Sequence, residues 1–287
     1  KGFDSQMSHD GKRRIMEATE ETRGKLYYWM KQVIDIVKPK MFVAENVKGL
    51  VSLGDVKDII QRDFASADGN GYVVLPPKIL HAGNYGVPET RERVIFIGVK
   101  KSCLTQKALQ ALEKEEIEDF YNPYPKATHS YTHSSTSLLA PVSCWDVFKD
   151  LKEPEESNDL SQINYSRAKY MGKHCQGQNE INLYGLGPTI RSEHHGNIEF
   201  RRLSKEHGGA YLEELQKGMK ERRLTPRECA LIQTFPPDYP FVKFKGYTKK
   251  FSLSPSGAYK VIGNAVPPLL AYNIANRIQE LWPVYFG

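Results

Sequence analysis

The chain has 287 residues, a formal net charge of +6, and 40% hydrophobic against 26% charged residues, which is ordinary for a soluble globular protein of one or two domains. No apolar run approaches membrane-spanning length and we expect no signal peptide, so the sequence predicts no membrane partner and a cytoplasmic location. The cysteines form no C-x-x-C pair, which argues against a disulfide framework or a thiolate zinc site.

The first hundred residues alternate helices with apolar strands, a pattern that predicts an α/β sheet with covered faces. Pro39 stops the first helix, and Pro76-Pro77 makes the second strand irregular or an edge strand. The predicted elements are a helix from Thr22 to Pro39, a strand over 41–47, a helix over 54–66, a strand over 72–80 and a strand over 94–99.

Glu45 stands where the apolar run Met41–Val47 gives way to polar residues. In an open α/β sheet, chemistry gathers just past the carboxyl ends of the strands. A carboxylate at the mouth of a buried strand is costly unless it is used or paired. Glu45 is therefore a candidate functional residue, and the alternative is a helix cap or a surface ion pair.

The character of the sequence changes after about Lys100. A charged helix is predicted over 103–118, and residues 121–200 are rich in Tyr, Ser, Thr, His and Asn without sustained periodicity. Such a segment is too long for a simple connection, so we interpret it as part of a small inserted domain. Regular structure returns at Thr225-Pro226, which predicts a capped helix start, and the chain ends in an amphipathic helix.

The net positive charge is concentrated near one stretch. Residues 217–250 hold nine Lys and Arg residues (217, 220, 222, 223, 227, 243, 245, 249 and 250) against three acids (221, 228 and 238). This +6 excess is weak support for a polyanionic partner, since solvated basic faces are common.

Several segments together resemble the cytosine-C5 methyltransferases that act on DNA. The resemblance rests on four blocks in the family's order: Glu45–Val47, Glu89–Arg93, Arg227–Pro236 and Gly263–Pro267. Thr22–Leu26 and Lys1–Phe3 are similar to segments after and at the end of the family's catalytic loop. The resemblance covers both ends of the chain but not residues 101–180.

The resemblance implies a Rossmann-like class I methyltransferase sheet, present in part, with a small inserted target-recognition domain. It divides the chain into the C-terminal part of a catalytic α/β domain (1–100), a target-recognition domain (101–224) and a return to the catalytic domain (225–287). The implied reaction moves a methyl group from S-adenosylmethionine to C5 of a cytosine flipped out of a specific duplex sequence, with no metal.

Two parts of the family pattern are absent from these residues. They are the Gly-rich turn that seats S-adenosylmethionine and the Pro-Cys of the catalytic loop, since none of Cys103, Cys144, Cys175 and Cys229 follows a proline. Cys144 and Cys229 are better interpreted as small buried hydrophobes. We expect the missing parts to belong to an N-terminal segment or a second subunit, and the 287 residues alone to be inactive.

The resemblance assigns roles to residues of three blocks. Glu45 would hold the N3 side of cytosine and its exocyclic amine, and to donate at N3 it must be protonated, which burial would favour. Arg93 would reach the cytosine O2, and Arg91 would hold phosphate or the catalytic loop. The alternative for both arginines is an ion pair with Glu89 or Glu92, and Glu89 departs from the family's usual Gln.

Further residues are implied to touch the methyl donor or DNA. Asn264, Val266 and Leu26 would lie near S-adenosylmethionine, with plain core packing as the alternative for Leu26 and Val266. The candidates for DNA contacts are Thr189, Ile190, Arg191, Arg201 and Arg202, of which Thr189-Ile190 is similar to the family's Thr-Leu pair. The adjacent His194-His195 lacks further ligands at metal spacing and favours a polar or DNA-facing loop.

Two other functions stay open at this stage. A tRNA-methylating relative would keep most of the blocks, although the large insert argues against it. A catalytically inactive DNA-binding remnant would lack the nucleophile and the donor site. The style of the blocks favours a bacterial, nucleoid-associated enzyme of the restriction-modification type.

Overall fold

A computed structural model describes residues 5–7, 13–15, 26–132, 137–192 and 198–287. The chain divides into two compact units: unit 1 comprises residues 1–81, 92–126 and 273–287, and unit 2 comprises 82–91 and 127–272. These divisions differ from the predicted boundaries at 101 and 225, because 101–126 groups with unit 1 and 225–272 with unit 2. The catalytic and recognition roles of the predicted domains stay a prediction.

The elements are short except for α1, α2, α9, α10 and β6. The strands are β1 Ser5–Met7, β2 Arg13–Ile15, β3 Met41–Val47, β4 Tyr72–Val74, β5 Lys78–His81, β6 Glu92–Lys100, β7 Phe200–Arg202, β8 Arg222–Arg223, β9 Lys243–Phe244 and β10 Phe251–Leu253. The helices are α1 Leu26–Val37, α2 Val56–Ala65, α3 Ala67–Asn70, α4 Gln106–Leu112, α5 Cys144–Phe148, α6 Leu160–Ile163, α7 Leu212–Gln216, α8 Pro226–Ile232, α9 Pro255–Asn264 and α10 Pro268–Phe286. In the described ranges, none of these helices is long and apolar enough to cross a membrane.

Most predicted elements of the first hundred residues are present. The strand predicted over 72–80 is split into β4 and β5, as the Pro76-Pro77 pair requires. Residues 22–25 of the first predicted helix lie outside the described residues. The helix predicted over 103–118 is limited to α4, because like charges at 113, 115, 116 and 118 would crowd the negative end of the helix dipole.

The main sheet of unit 1 is built around β6. Its neighbours are β3 on one side and β4 and β5 in succession on the other, and every pairing is antiparallel. β6 is buried from Arg93 to Val99, as expected of a central strand with a continuous apolar sequence. Tyr124 donates its hydroxyl hydrogen to the Ile95 carbonyl at 2.9 Å and so ties the segment after α4 to this strand.

One face of this sheet carries an aromatic core. The Phe42 ring packs edge-on against Phe64 and Tyr72, with ring centroids 5.3 and 5.4 Å apart. Gly98 makes room for it, because a Cβ at that position would lie 2.2 Å from the Phe42 ring. Phe64 also meets Phe96, so α2, β3, β4 and β6 share one core.

β3 is buried on that face only, so the expectation of a fully buried strand is wrong. Phe42 and Ala44 are buried, whereas Val43 and Val47 are about two-fifths exposed on the opposite face. The reason is the pairing: among the described residues, β3 is bonded to β6 alone. Glu45 therefore lies on an accessible face of an edge strand.

Unit 2 packs around α8 and α9. The start of α8 is a capping box, in which the Thr225 hydroxyl accepts from the Glu228 N–H and the Glu228 carboxylate accepts from the Thr225 N–H. The predicted N-cap and first-turn proline are thus confirmed. This helix contributes to an apolar cluster with α5, α9 and the intervening loops, which includes Cys144, Cys229 and Tyr259.

Candidate active site

Glu45 and Arg93 form an ion pair on neighbouring strands. In the β3–β6 register Glu45 lies opposite Ile95 and Arg93 lies opposite Val47, so the two side chains are diagonal neighbours on one face. The Glu45 Oε1 atom lies 2.5 Å from Arg93 Nε, with the Glu45 side chain 29% exposed and that of Arg93 10% exposed. The two residues are thus brought together, and the carboxylate is not buried as its predicted protonation would require.

The residues next to this pair in sequence, Asn46 and Glu92, have partners of their own within the fold. The Asn46 side chain accepts from the Val47 N–H at 2.8 Å at the end of the strand. Glu92 pairs with Lys48 at 2.7 Å on the surface. The predicted alternative, in which Glu92 neutralises Arg93, is therefore wrong, because Arg93 faces Glu45 and Glu92 faces Lys48.

Arg91 is fully buried in unit 2, although it is only two residues from Arg93. Its guanidinium donates to the carbonyls of Ile190, Gly263 and Ala265 at 3.1, 2.9 and 2.7 Å. The predicted contact with phosphate or a catalytic loop does not agree with this arrangement, because the side chain has no exposed surface. Arg91 instead joins the Gly187–Arg191 segment to the Gly263–Pro267 block.

Glu89 supports the same junction. Its Oε1 accepts from the Ile190 N–H at 2.7 Å and lies 3.5 Å from Arg91 Nη1, with both side chains fully buried. The predicted alternative of an Arg91–Glu89 ion pair is thus present. Its negative charge is held against Arg91 within unit 2.

The Gly263–Pro267 block approaches the backbone closely. A Cβ on Gly263 would lie 2.4 Å from the Arg191 carbonyl carbon, so only glycine fits there. The side-chain amide of Gln233, in the Arg227–Pro236 block, donates to the Ile262 carbonyl at 2.8 Å. Three of the blocks therefore meet within unit 2 through backbone carbonyls that buried side chains hold in place.

The five residues predicted to touch DNA differ in how exposed their side chains are. Arg191 is exposed, with a long 3.4 Å contact to the Gln176 side chain, and remains available to a ligand. Thr189 is half-buried and donates to the Thr90 carbonyl. Ile190 is buried and offers its N–H to Glu89, so the prediction of a DNA contact through its side chain is wrong.

Arg201 and Arg202 require a correction as well. Arg201 donates to both carboxylate oxygens of Glu214, at 3.2 and 2.8 Å, and Arg202 donates to Glu214 and Glu153 at 2.6 and 2.9 Å. Both arginines are nearly fully buried. Their charge is used inside the fold, so neither presents a guanidinium to a phosphate.

The network extends to Arg222, which pairs with Glu153 and Glu228 at 3.0 and 2.7 Å. Desolvation alone would raise the pKa of Glu153, but its hydrogen bonds to Arg222 and Arg202 outweigh that effect and lower the pKa to about 2. Sequence analysis missed Glu153 and Glu214, because each is far from its arginine partner along the chain or carries no motif. This network is structural.

The candidates for the methyl donor lie on two elements. Asn264 is exposed at the end of α9 and Val266 is half-buried just beyond it, whereas Leu26 is half-exposed at the start of α1. Core packing, the alternative for Leu26, does not agree with this exposure. Asn264 offers an amide that can donate and accept, so it suits a polar contact.

The cysteines in α5 and α8 are poor nucleophiles. Burial raises the pKa of Cys144 to about 12 and raises the pKa of Cys229 well above its ordinary value, so both thiols stay protonated at neutral pH. Their packing agrees with the prediction that they act as small hydrophobes. In the part of the chain that the structure describes, no group of three or more His, Cys, Asp or Glu side chains could hold a metal ion, and His194-His195 lies outside it.

Comparison with known proteins defines the class. The sequence profile of the C-5 cytosine-specific DNA methylase family matches residues 5–280. The type II methyltransferase M.FnuDI of Fusobacterium nucleatum is 31% identical, over 92% of this chain and 72% of the relative, and M.BsuRI of Bacillus subtilis is 31% identical, over 93% and 55%. The chain thus spans from about half to about three quarters of the length of these relatives.

The fold has a parallel among solved structures. A chain from an Escherichia coli prophage, described as a DNA modification methyltransferase, superimposes with a TM-score of 0.56 over 92% of this chain and 76% of that one, at 19% identity. This likeness bears on the fold alone and confirms the predicted α/β methyltransferase class.

These findings identify the chain as a member of the DNA cytosine-5 methyltransferases, a class of transferases. More particularly, it belongs to the C-5 cytosine-specific DNA methylase family, and its curated relatives are type II methyltransferases of bacteria. The predicted family and enzyme class are confirmed.

Proposed function

We propose that the protein methylates C5 of a cytosine flipped out of duplex DNA, and that the Glu45–Arg93 pair holds the flipped base. The observation that carries the proposal is the accessible ion pair on the edge of β3. The buried Arg202 and Arg222 each contact two carboxylates within the fold, whereas the Glu45 carboxylate retains exposed surface. A pair of this kind is suited to a ligand with mixed donors and acceptors.

The Watson–Crick edge of cytosine has that character. It presents the N4 amino donor, the N3 acceptor and the O2 acceptor in a row. Glu45 accepts from N4, and we propose that the bound base covers the exposed carboxyl group and so favours its protonated form, which donates to N3, while Arg93 donates to O2. Withdrawing electron density toward N3 and O2 makes the ring carbon C6 a better target for a nucleophile, so the pair contributes to the reaction as well as to binding.

S-adenosylmethionine is the proposed donor, and it supplies an electrophilic methyl group on a sulfonium. Asn264 and Val266 are the proposed contacts, since one exposes an amide and the other an apolar side chain at the end of α9. Leu26 is retained as a proposed contact because its side chain is half-exposed. The Gly-rich turn that would seat the donor is absent from the 287 residues.

The nucleophile is proposed to come from protein outside these residues, either a further segment or a second subunit. The supporting observation is an uncovered apolar surface in unit 1. Trp29, Val33 and Ile36 of α1 are each more than half exposed, and Val43 and Val47 of the edge strand β3 lie open. Exposed apolar residues on a helix, and separately on the open face of an edge strand, suit packing against additional secondary structure.

Three finer assignments belong to the same proposal. The segment 101–224 reads the DNA sequence, with the exposed Arg191 as the contact that the geometry leaves available. The enzyme acts in a bacterial restriction-modification setting and works in the cytoplasm at the nucleoid. A tRNA substrate or an inactive DNA-binding remnant is the alternative that the experiment below distinguishes.

The experiment measures methyl transfer from labelled S-adenosylmethionine to duplex DNA and, in parallel, to a tRNA transcript. The protein is assayed as the 287-residue chain and within its complete polypeptide. We expect transfer to DNA by the complete protein and none by the isolated chain. Transfer to tRNA but not to DNA would support the tRNA alternative, and no transfer by either form would contradict the proposed activity.

The source of the nucleophile is tested separately with a duplex that carries 5-fluorocytosine. After addition at C6 and methylation at C5, the fluorine cannot leave as a cation, so elimination stops and the protein stays bound to the base. Peptide mass spectrometry then locates the adduct. We expect it on a cysteine outside the 287 residues; an adduct on Cys103, Cys144, Cys175 or Cys229 would overturn this part of the account.

A further inference from the structure

The strands β9 and β10 form an exposed basic hairpin, residues 243–253. Phe251 pairs with Phe244, and their rings stack with centroids 4.9 Å apart and an interplanar angle of 20°. Every residue from Lys243 to Lys250 is exposed, and Tyr247 at the tip is fully open to solvent. The hairpin is therefore a projecting element with an aromatic base and an aromatic tip.

The lysines of the hairpin are not neutralised locally. None of Lys243, Lys245, Lys249 and Lys250 has a carboxylate within 4.0 Å among the described residues. The surrounding sequence explains this, because no Asp or Glu occurs between Asp238 and Glu280. By contrast, Arg222 and Arg227 of the same basic stretch are buried and paired with carboxylates. Apart from the exposed Lys217 and Lys220, the free positive charge of the stretch thus lies on the hairpin.

The tip of the hairpin is ordered by its own hydrogen bonds. The Lys245 N–H donates to the Lys250 carbonyl at 2.8 Å, and the Thr248 side chain donates to the Lys245 carbonyl at 2.7 Å. At the base, the Ser252 hydroxyl donates to the Lys243 carbonyl at 3.3 Å. Gly246 has a positive φ of 55° with open space around it, which a tight turn at this position requires. A preformed element of this kind loses little backbone freedom when it binds a ligand.

We propose that the hairpin 243–253 is a docking element for the phosphate backbone of duplex DNA, with its four lysines on phosphates and Tyr247 against the sugar-phosphate chain. The inference rests on the proposed function for its choice of polyanion. Lysine heads on a projecting β-ribbon match a regular array of phosphates, and such contacts fix position without reading sequence. The hairpin would anchor the protein on DNA while other residues select the base.

The test compares the natural 287-residue sequence with a hairpin variant and a matched control. Each protein is titrated with a fluorescent duplex of arbitrary sequence at several salt concentrations. The hairpin variant carries Lys→Gln at 243, 245, 249 and 250. The matched control removes the same charge from unit 1, with Lys→Gln at 101, 107, 114 and 126. A further pair, Tyr247→Ala and Tyr247→Phe, separates the ring from its hydroxyl.

Each lysine–phosphate contact contributes about 0.9 to the slope of log K against log salt. We expect the hairpin variant to lose about 3 to 4 from that slope and to bind about 100- to 1,000-fold more weakly at 100 mM salt. The control variant should keep most of the salt slope and most of the affinity. Tyr247→Ala should weaken binding more than Tyr247→Phe. Circular dichroism of each variant checks that the fold is retained.

An equal loss of slope in the hairpin variant and the control would overturn the proposal, since it would reflect net charge alone. An unchanged slope in the hairpin variant would do the same. Both results are independent of catalysis. If the protein transfers methyl groups but the hairpin variant keeps its salt slope, the docking role of the hairpin is refuted and the proposed function stands. If DNA binding depends on the hairpin but no methyl group is transferred, the docking role stands and the proposed function is refuted.

Discussion

The chain uses the same chemical pair, a guanidinium with a carboxylate, in two opposite ways. In unit 1, Arg93 and Glu45 form one pair on an edge strand, and the carboxylate keeps 29% of its surface. In unit 2, Arg202 and Arg222 each contact two carboxylates and are almost fully buried. An arginine whose guanidinium contacts two carboxylates inside the fold serves to stabilise the fold. A carboxylate with one arginine partner and exposed surface can still bind a ligand.

The two neighbouring arginines of one sequence block show the same contrast over two residues. Arg91 gives its hydrogen bonds to three backbone carbonyls and has no exposed surface, whereas Arg93 faces a carboxylate that solvent can reach. Residue type and spacing therefore do not decide the role. The number and kind of acceptors that the fold places around each guanidinium do.

The largest effect is expected for Glu45→Gln, measured as single-turnover methyl transfer by the complete protein. Gln keeps a carbonyl acceptor for N4 and can donate an amide N–H to N3, but it cannot transfer a proton to N3 as charge builds on the ring, so the rate should fall by about 100- to 10,000-fold. Glu92→Gln is the matched control, because Glu92 pairs with Lys48 on the surface of the same sheet. Equal losses in both variants would remove the special role of the accessible pair.

Arg222→Met should cost about 3 to 5 kcal/mol of unfolding free energy, because Glu153 and Glu228 would be left without their shared cation in a buried site. Urea unfolding measures this. Arg191→Met is the control and should change stability little, since Arg191 is exposed and its contact with the Gln176 side chain is long, at 3.4 Å. A stable Arg222→Met protein would show that the network is not structural.

Acid should weaken the network in unit 2. The folded-state pKa of Glu153 is about 2, below its ordinary value of 4.5, so the ionised form is favoured on folding. The resulting stabilisation is present above about pH 4.5 and is lost as the pH falls toward 2, by about 1 to 2 kcal/mol at pH 3. Urea unfolding at pH 6 and pH 3 should show a smaller acid loss in Glu153→Gln than in the natural sequence. An identical loss would contradict the assignment.

The smallest effect is expected for Glu89→Gln. The amide oxygen still accepts from the Ile190 N–H, and Arg91 keeps its three carbonyls, so the loss of stability should be about 1 kcal/mol or less. Glu89→Ala removes the acceptor and should cost about 1 to 3 kcal/mol. If the two variants were equally unstable, the charge of Glu89 rather than its acceptor would be what holds the junction.

The sequence allowed a prediction of the family and the α/β class, since these rest on local periodicity and short blocks. The resemblance also named Glu45 and Arg93 as site residues, but it did not indicate that the two would form an ion pair with each other. The sequence also indicated the capped start of α8. It could not indicate that Arg201 and Arg202 are buried, because burial depends on Glu153 and Glu214, which approach only in the folded chain. The exposed face of β3 was missed for the same reason, since an apolar run does not reveal whether both neighbouring strands are present.

The central claim is that Glu45 and Arg93 hold the Watson–Crick edge of the target cytosine. The most direct measurement is a crystal structure of the complete protein trapped on a duplex with 5-fluorocytosine. We expect a flipped base with N3 and N4 within hydrogen-bond distance of the Glu45 carboxyl and O2 within that distance of the Arg93 guanidinium. A trapped base whose edge meets other residues, with the Glu45–Arg93 pair intact and apart from it, would contradict the claim.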